Sequence, residues 1–170
     1  MGDTLSYPQY TQQPTQPQAP QGGEPPIWAP YYGAPFAAAV KRFFTKYATF
    51  SGRASRSEYW WWALVSGVVG IILNVILSTG TATAAAASSY DSTPSLGPGA
   101  ITGAVLLMVF ALATFIPSLA LISRRLHDGN FSAWLLLLGL VPFAGGLALL
   151  VLVLLPSNPA GQRFDQPAVA

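Results

Sequence analysis

The chain has 170 residues, of which 52% are hydrophobic and only 8% charged. A soluble domain carries about 25% charged residues, so this composition excludes a surface that meets water on all sides. A net charge of +2 is too small to point to nucleic acid, and the lack of cysteine excludes disulfides, thiolate nucleophiles and cysteine-based metal sites.

Residues 1–35 are low-complexity and rich in Pro and Gln. Proline fixes φ and removes backbone donors, and too few apolar side chains are present to offset the entropy of ordering. The segment reads as a disordered tail of polyproline character. Tyr31, Tyr32 and the spaced prolines also allow a docking segment. The first apolar run begins after residue 58, so no signal peptide is expected ahead of it.

Residues 36–50 carry Phe36, Val40, Phe43, Phe44, Tyr47 and Phe50 at helical spacing, within an arc of about 120°. Lys41, Arg42, Thr45, Lys46 and Thr49 take the opposite arc. This predicts a basic amphipathic helix lying in a membrane interface, with Lys41, Arg42 and Lys46 toward anionic lipid headgroups. The competing placement is against the protein's own surface. In the connector that follows, Gly52 is expected to break the helix. Ser55 or Ser57 then caps the next one, with Glu58 in its first turn.

Three apolar runs follow, at residues 59–78, 100–122 and 134–155. Each has the roughly 20 residues needed to cross a bilayer as a helix. The expected fold is therefore an all-α membrane protein with three transmembrane helices, its membrane domain covering residues 36–166. Residues 156–170 form a short polar tail. Tyr59–Trp62 and Trp134 place aromatic rings where interface anchors belong. Gly139, Pro142, Gly145 and Gly146 interrupt the third run. One kinked span is the preferred form, and a re-entrant hairpin of two short arms is the alternative. Loop 79–99 has no cation, whereas the segments before the first span and after the second are basic. The positive-inside rule thus puts the N-terminus and the Arg124–Arg125 segment in the cytoplasm. Three spans would leave the C-terminus outside, and a hairpin would return it.

Within the first span, Ser66, Gly70, Asn74 and Ser78 recur every four residues and predict a helix-packing stripe. A polar lining for a permeation path is the functional alternative. Ala104, Ala111, Thr114 and Ser118 offer a matching small face in the second span.

Two polar segments stand out, GRASRSEYWWW at 52–62 and RRLHDGNFSAW at 124–134. Topology brings both to one membrane boundary, where Arg53, Arg56, Arg124, Arg125 and His127 meet Glu58 and Asp128. There, reduced solvent screening strengthens charge pairing, and the Arg fork suits carboxylates. Adjacent His127 and Asp128 do not suit a catalytic relay, and a single His offers no zinc spacing. No catalytic residue, metal or cofactor is expected. The cluster reads first as a structural ion-pair belt, and second as a site for an anionic headgroup.

The order of an aromatic basic helix, F-x-G-R-x-x-R-x-E-Y-W, an outer loop, R-R-L-H-D-x-x-x-S-x-W and a Pro/Gly-marked apolar run resembles the domain-of-unknown-function 805 family of small bacterial inner-membrane proteins. The resemblance covers about residues 36–166. Ala133 stands where family members often have glycine, and Arg163-Phe164-Asp165 replaces a usual Asn-x-Tyr/Phe-Gly turn. The resemblance implies a bacterial plasma-membrane protein and supplies no activity. The expected role is non-enzymatic, with the cytoplasmic charged face binding a protein partner or anionic headgroups. A small homo-oligomeric transporter component and, more remotely, a membrane enzyme using His127 are the alternatives.

Overall fold

A computed structural model describes residues 23–88 and 97–165, and every regular element among them is helical. Four α-helices occur in chain order: α1 Phe36–Thr45, α2 Arg56–Ser88, α3 Pro98–Asp128 and α4 Ala144–Leu154. Two 3-10 helices, Ala133–Leu140 and Pro159–Phe164, flank α4.

Helices α2 and α3 have 33 and 31 residues, close to 50 Å and 46 Å at about 1.5 Å per residue. Both exceed a hydrocarbon core of about 30 Å. The excess of α2 absorbs residues 79–88, expected as loop. Alanine and threonine are compatible with helix, and no Gly or Pro after Gly80 interrupts this stretch. The excess of α3 absorbs Arg124–Asp128, also expected as loop. Their carbonyls and amides continue the helix until Gly129, whose N–H bonds to Leu126 O at 3.1 Å.

The helices pack along one seam. Leu77, Gly80 and Ala84 of α2 meet Gly97, Gly99, Ala100 and Gly103 at the start of α3. A Cβ on Gly80 would run into the Ala100 backbone, and one on Gly103 into that of Leu77. Small residues thus let the two backbones touch, as membrane helices require when no hydrophobic force drives them together. The predicted stripe takes no such part. Asn74 and Ser78 are exposed, Ser66 and Gly70 are half-buried, and nothing lies within 4 Å of a Cβ on Gly70. Ala104 and Ala111 are also exposed. A fourfold repeat drifts around a helix of 3.6 residues per turn, which carries Asn74 and Ser78 off the face that Leu77, Gly80 and Ala84 present to α3. Ile71, Val75, Met108 and Leu112 point outward, forming a broad apolar surface of the kind that bilayer-spanning helices present.

The third apolar run is neither one helix nor one kinked span. The 3-10 helix Ala133–Leu140 and α4 lie against each other as a hairpin, with its turn at residues 141–143. Eight residues at about 2.0 Å and eleven at about 1.5 Å each give arms near 16 Å, half a hydrocarbon core. Both feet sit at the end of α3. Phe131 N–H bonds Leu126 O at 2.9 Å, and Arg125 Nε donates to Val153 O at 3.1 Å. The expected single span fails because Pro142 and Phe143 stop the first arm. Phe143 takes a φ of 60°, and Gly145 lets α4 approach the Leu138 carbonyl. The chain then crosses the end of α3 again, where Asn158 N–H bonds Asp128 O at 2.8 Å.

Candidate functional site: the charged end of the helix pair

Every described charged side chain lies toward one end of the α2–α3 pair, and two buried carboxylates organise them. The first is Glu58. Ser55 and Glu58 form a reciprocal capping box at the start of α2. Glu58 N–H donates to Ser55 Oγ at 3.2 Å, and Ser55 N–H to Glu58 Oε2 at 2.9 Å. Gly52, at a φ of +79°, makes the turn that brings Ser55 into place, as its freedom from a side chain allows. The same carboxylate faces Arg42 at 3.5 Å and Lys46 at 3.9 Å.

This orientation reverses an expectation for α1. The helix ends at Thr45, and its buried face carries Ala39, Arg42 and Phe43, with Lys46 as the buried cap. Of the three cations expected at headgroups, only Lys41 is exposed. The rotation is set by Phe43, which stacks on Trp62 with ring centroids 3.4 Å apart, and by the acceptors waiting beneath. Arg42 reaches Glu24 Oε1 at 3.1 Å, Ala29 O at 2.8 Å and the Pro25 and Pro26 carbonyls. Burial pushes the Lys46 ammonium down to about 8, with Glu58 opposing the shift and Arg124 and Arg42 adding to it.

The second carboxylate is Asp128, fully buried at the end of α3. It accepts from Tyr32 Oη at 2.6 Å, from Arg125 Nη1 and from Ser157 Oγ, and it lies 3.7 Å from Arg53. Burial and the Asp128 hydrogen bond push the Tyr32 phenol up to about 12. Arg53 grips Asp165 through Nε at 2.9 Å and Nη2 at 2.6 Å, the planar fork that Arg offers a carboxylate. Burial disfavours the Arg53 cation, but the Asp165 bonds and surrounding charges outweigh it and raise its pKa.

The other expected members are placed as follows. Arg125 Nε donates to Val153 O at 3.1 Å, and with Arg56 it serves the carbonyls at the end of α4 that have no helical partner. His127 Nδ1 lies 3.0 Å from Gly52 O, and its ring stacks on Phe164 with centroids 4.1 Å apart. A ring so placed serves to fasten the C-terminal segment. Arg124 is buried and bonds Ala120 O at 3.1 Å through Nε, while its Nη2 has no partner among the described residues. In the stripe, the Ser66, Asn74 and Ser78 side chains each bond a carbonyl of their own helix.

Sequence reasoning missed one element of the site. Residues 23–35, read as part of a disordered tail, form a strap across the charged end. Residues 1–22 lie outside the described residues. Tyr31 N–H donates to Glu58 Oε2 at 3.2 Å, and Ser55 Oγ donates to Tyr31 O at 2.6 Å. Ala34 N–H donates to Ser57 Oγ at 2.9 Å, and Trp61 Nε1 donates to Ala34 O at 3.1 Å. Backbone polar groups therefore find partners without any helix or sheet, which is why composition alone misled. Tyr31 and Tyr32, the residues that allowed a docking segment, were the available signal.

A family profile described as "Protein of unknown function (DUF805)" matches residues 47–166. The chain is 39% identical over 118 residues to "Inner membrane protein YhaI" of Escherichia coli strain K12, covering 69% of this chain and 84% of that one. It is 32% identical over 119 residues to "Inner membrane protein YhaH" of the same strain, covering 69% and 85%. No solved structure matches.

Proposed function

The chain belongs to the DUF805 family of bacterial inner-membrane proteins, and on that premise we propose that it is a non-enzymatic docking protein whose charged end faces the cytoplasm and receives a protein partner. One observation carries this reading. The Glu58 carboxylate and the Ser55 and Ser57 hydroxyls of the charged end, with the Trp61 indole, hold a turn-forming segment by its main chain, at Tyr31 and Ala34. Surfaces that grip backbone suit protein segments. The orientation is supported by Arg53, Arg56, Arg124 and Arg125 lying at that end, since cations accumulate on the cytoplasmic side.

The test is photo-crosslinking in cells from positions 41 and 60, exposed at the charged end, with positions 71 and 112 in the spans as controls. A discrete protein adduct confined to the first pair is expected. Absence of protein adducts from both charged-end positions would remove the reading. A second reading is contact with anionic headgroups. It is favoured by exposed Lys41 beside the exposed rings of Phe36, Phe44, Tyr47 and Trp60. Purified protein should then prefer anionic over neutral lipid at low salt, and Lys41→Gln should weaken that preference.

A further inference from the structure

We propose that the strap of residues 23–35 is the displaceable occupant of a peptide site, and that the site takes a turn-forming, tyrosine-bearing segment of a partner protein. The inference rests on the docking reading above and names what docks.

Three observations carry it. First, the strap is attached mainly through polar contacts. Ile27, Trp28 and Tyr32 are 45%, 45% and 52% exposed, while only Pro25, Pro30 and Ala34 are buried. Hydrogen bonds exchanged with water contribute little net free energy, so a segment with only these three small apolar anchors opens below the global unfolding free energy. Second, the groups that hold its Tyr31–Ala34 half are built into the rigid spans, while Arg42 and Lys46 at the end of α1 hold its Glu24–Ala29 half. Ser55, Ser57, Glu58 and Trp61 sit at the start of α2, and Asp128 ends α3. Third, one contact reads a side chain. Tyr32 Oη donates to Asp128 at 2.6 Å and accepts from Arg53 Nη1 at 3.2 Å, so both roles of a phenol are satisfied. Phenylalanine would leave Asp128 short of one donor. The backbone contacts hold a turn, closed by the Ala34 N–H to Tyr31 O bond at 3.2 Å with Gly33 at a φ of 72°, and the phenol contact selects tyrosine. The family match begins at residue 47, so the strap lies outside it, whereas Ser55, Ser57, Glu58, Trp61 and Asp128 lie within.

The experiment uses the full chain in nanodiscs and a fluorescein-labelled peptide of residues 23–35. In the wild type the strap competes from the same chain at an effective concentration of about millimolar, so peptide binding is weak. A variant lacking residues 1–34 should bind the peptide at least tenfold more tightly. A peptide carrying Tyr32→Phe should bind that variant about tenfold more weakly than the native peptide. No binding to the folded deletion variant, or equal binding of both peptides, overturns the proposal. If the deletion variant does not fold, hydrogen exchange on the intact chain decides. Tyr31 and Ala34 amides exchanging at least a hundredfold faster than the mid-α2 amides support a strap that opens alone. Exchange only through global unfolding overturns it. A crosslinked partner at position 41 or 60 that excess peptide does not displace keeps the docking reading and rejects the tyrosine site. A full-chain dimer that excess peptide dissolves gives the site to a second copy and rejects the partner.

Discussion

Neutralising Glu58 isolates the energetics of the charged end. Glu58 is 3% exposed and faces Arg42 and Lys46, themselves 1% and 2% exposed. Glu58→Gln keeps the shape and removes the carboxylate they share. Breaking a buried pair costs roughly 3–5 kcal/mol, because the charge left behind is uncompensated. Two features hold the cost near the lower end. Arg42 keeps Glu24 at 3.1 Å and the Ala29 carbonyl, and Lys46 can shed its proton. The expected loss at pH 7 is therefore about 3 kcal/mol, read by urea titration in mild-detergent micelles. The proton supplies a second reading. Lys46 falls from 10.5 to about 8, chiefly through burial, with Glu58 and Asp165 opposing and Arg124 and Arg42 reinforcing. Between those values the unfolded chain holds a proton that the folded chain has lost, so stability rises with pH across that window. Below pH 8 the folded chain carries the full burden, at most about 3 kcal/mol. Lys46→Met should abolish the rise and stabilise the protein at pH 7. In Glu58→Gln, loss of the favourable charge should move the rise below pH 8. A slope unchanged by Lys46→Met would refute the reasoning, as would a Glu58→Gln cost no larger than that of an exposed pair, about 1 kcal/mol.

Asp128→Asn leaves Arg125 buried without its carboxylate and should cost roughly 3–5 kcal/mol in the same titration. Tyr32→Phe removes one hydrogen bond to the same charge and should cost about 1.5 kcal/mol. Gly161→Ala sets a methyl against the His127 carbonyl, which is backbone and cannot swing away. The expected destabilisation is about 1–3 kcal/mol, with loss of protection at the Gly52 amide, which bonds Phe164 O at 3.1 Å. Fluorescent-protein and phosphatase fusions at each terminus should report the same side of the membrane, and an active phosphatase at the C-terminus alone would contradict the hairpin.

The two long helices were legible because hydropathy over 20 residues is a summed signal that no single residue can reverse. The meeting of residues 52–62 with 124–134 was legible for the same reason, since two antiparallel spans leave those segments at one end. The hairpin was legible only as an alternative. Pro142 and the glycines mark an interruption without saying whether the chain continues or returns. The turning of Arg42 and Lys46 inward was not legible. A helical wheel ranks side chains by polarity, and here the buried face mixes Phe43 with Arg42 and Lys46 because Glu58, Glu24 and strap carbonyls supply the cations' partners. Asp165 and Ser157 were missed as well. Nothing local joins residue 165 to Arg53, 112 positions earlier, until the hairpin returns the chain to the same end.

Glu58 and Asp128 are the two points where segments outside the α2–α3 pair attach to it. Glu58 holds α1 through Arg42 and Lys46, and the strap through Tyr31. Asp128 holds the strap through Tyr32 and the C-terminal segment through Ser157, while Arg125 links it to the end of α4. Arg53 closes the circle between Tyr32, Asp128 and Asp165. Each carboxylate therefore acts on the strap and on one permanent element. When the strap leaves, the hairpin keeps its own bonds, and α1 keeps Glu58 while Arg42 gives up Glu24 and the Pro25, Pro26 and Ala29 carbonyls. Phe43 remains stacked on Trp62, and Arg56 and Arg125 remain on the α4 carbonyls. What its departure uncovers is a pair of carboxylates flanked by Ser55, Ser57 and Arg53, already fixed in place and short of the donors the strap had supplied.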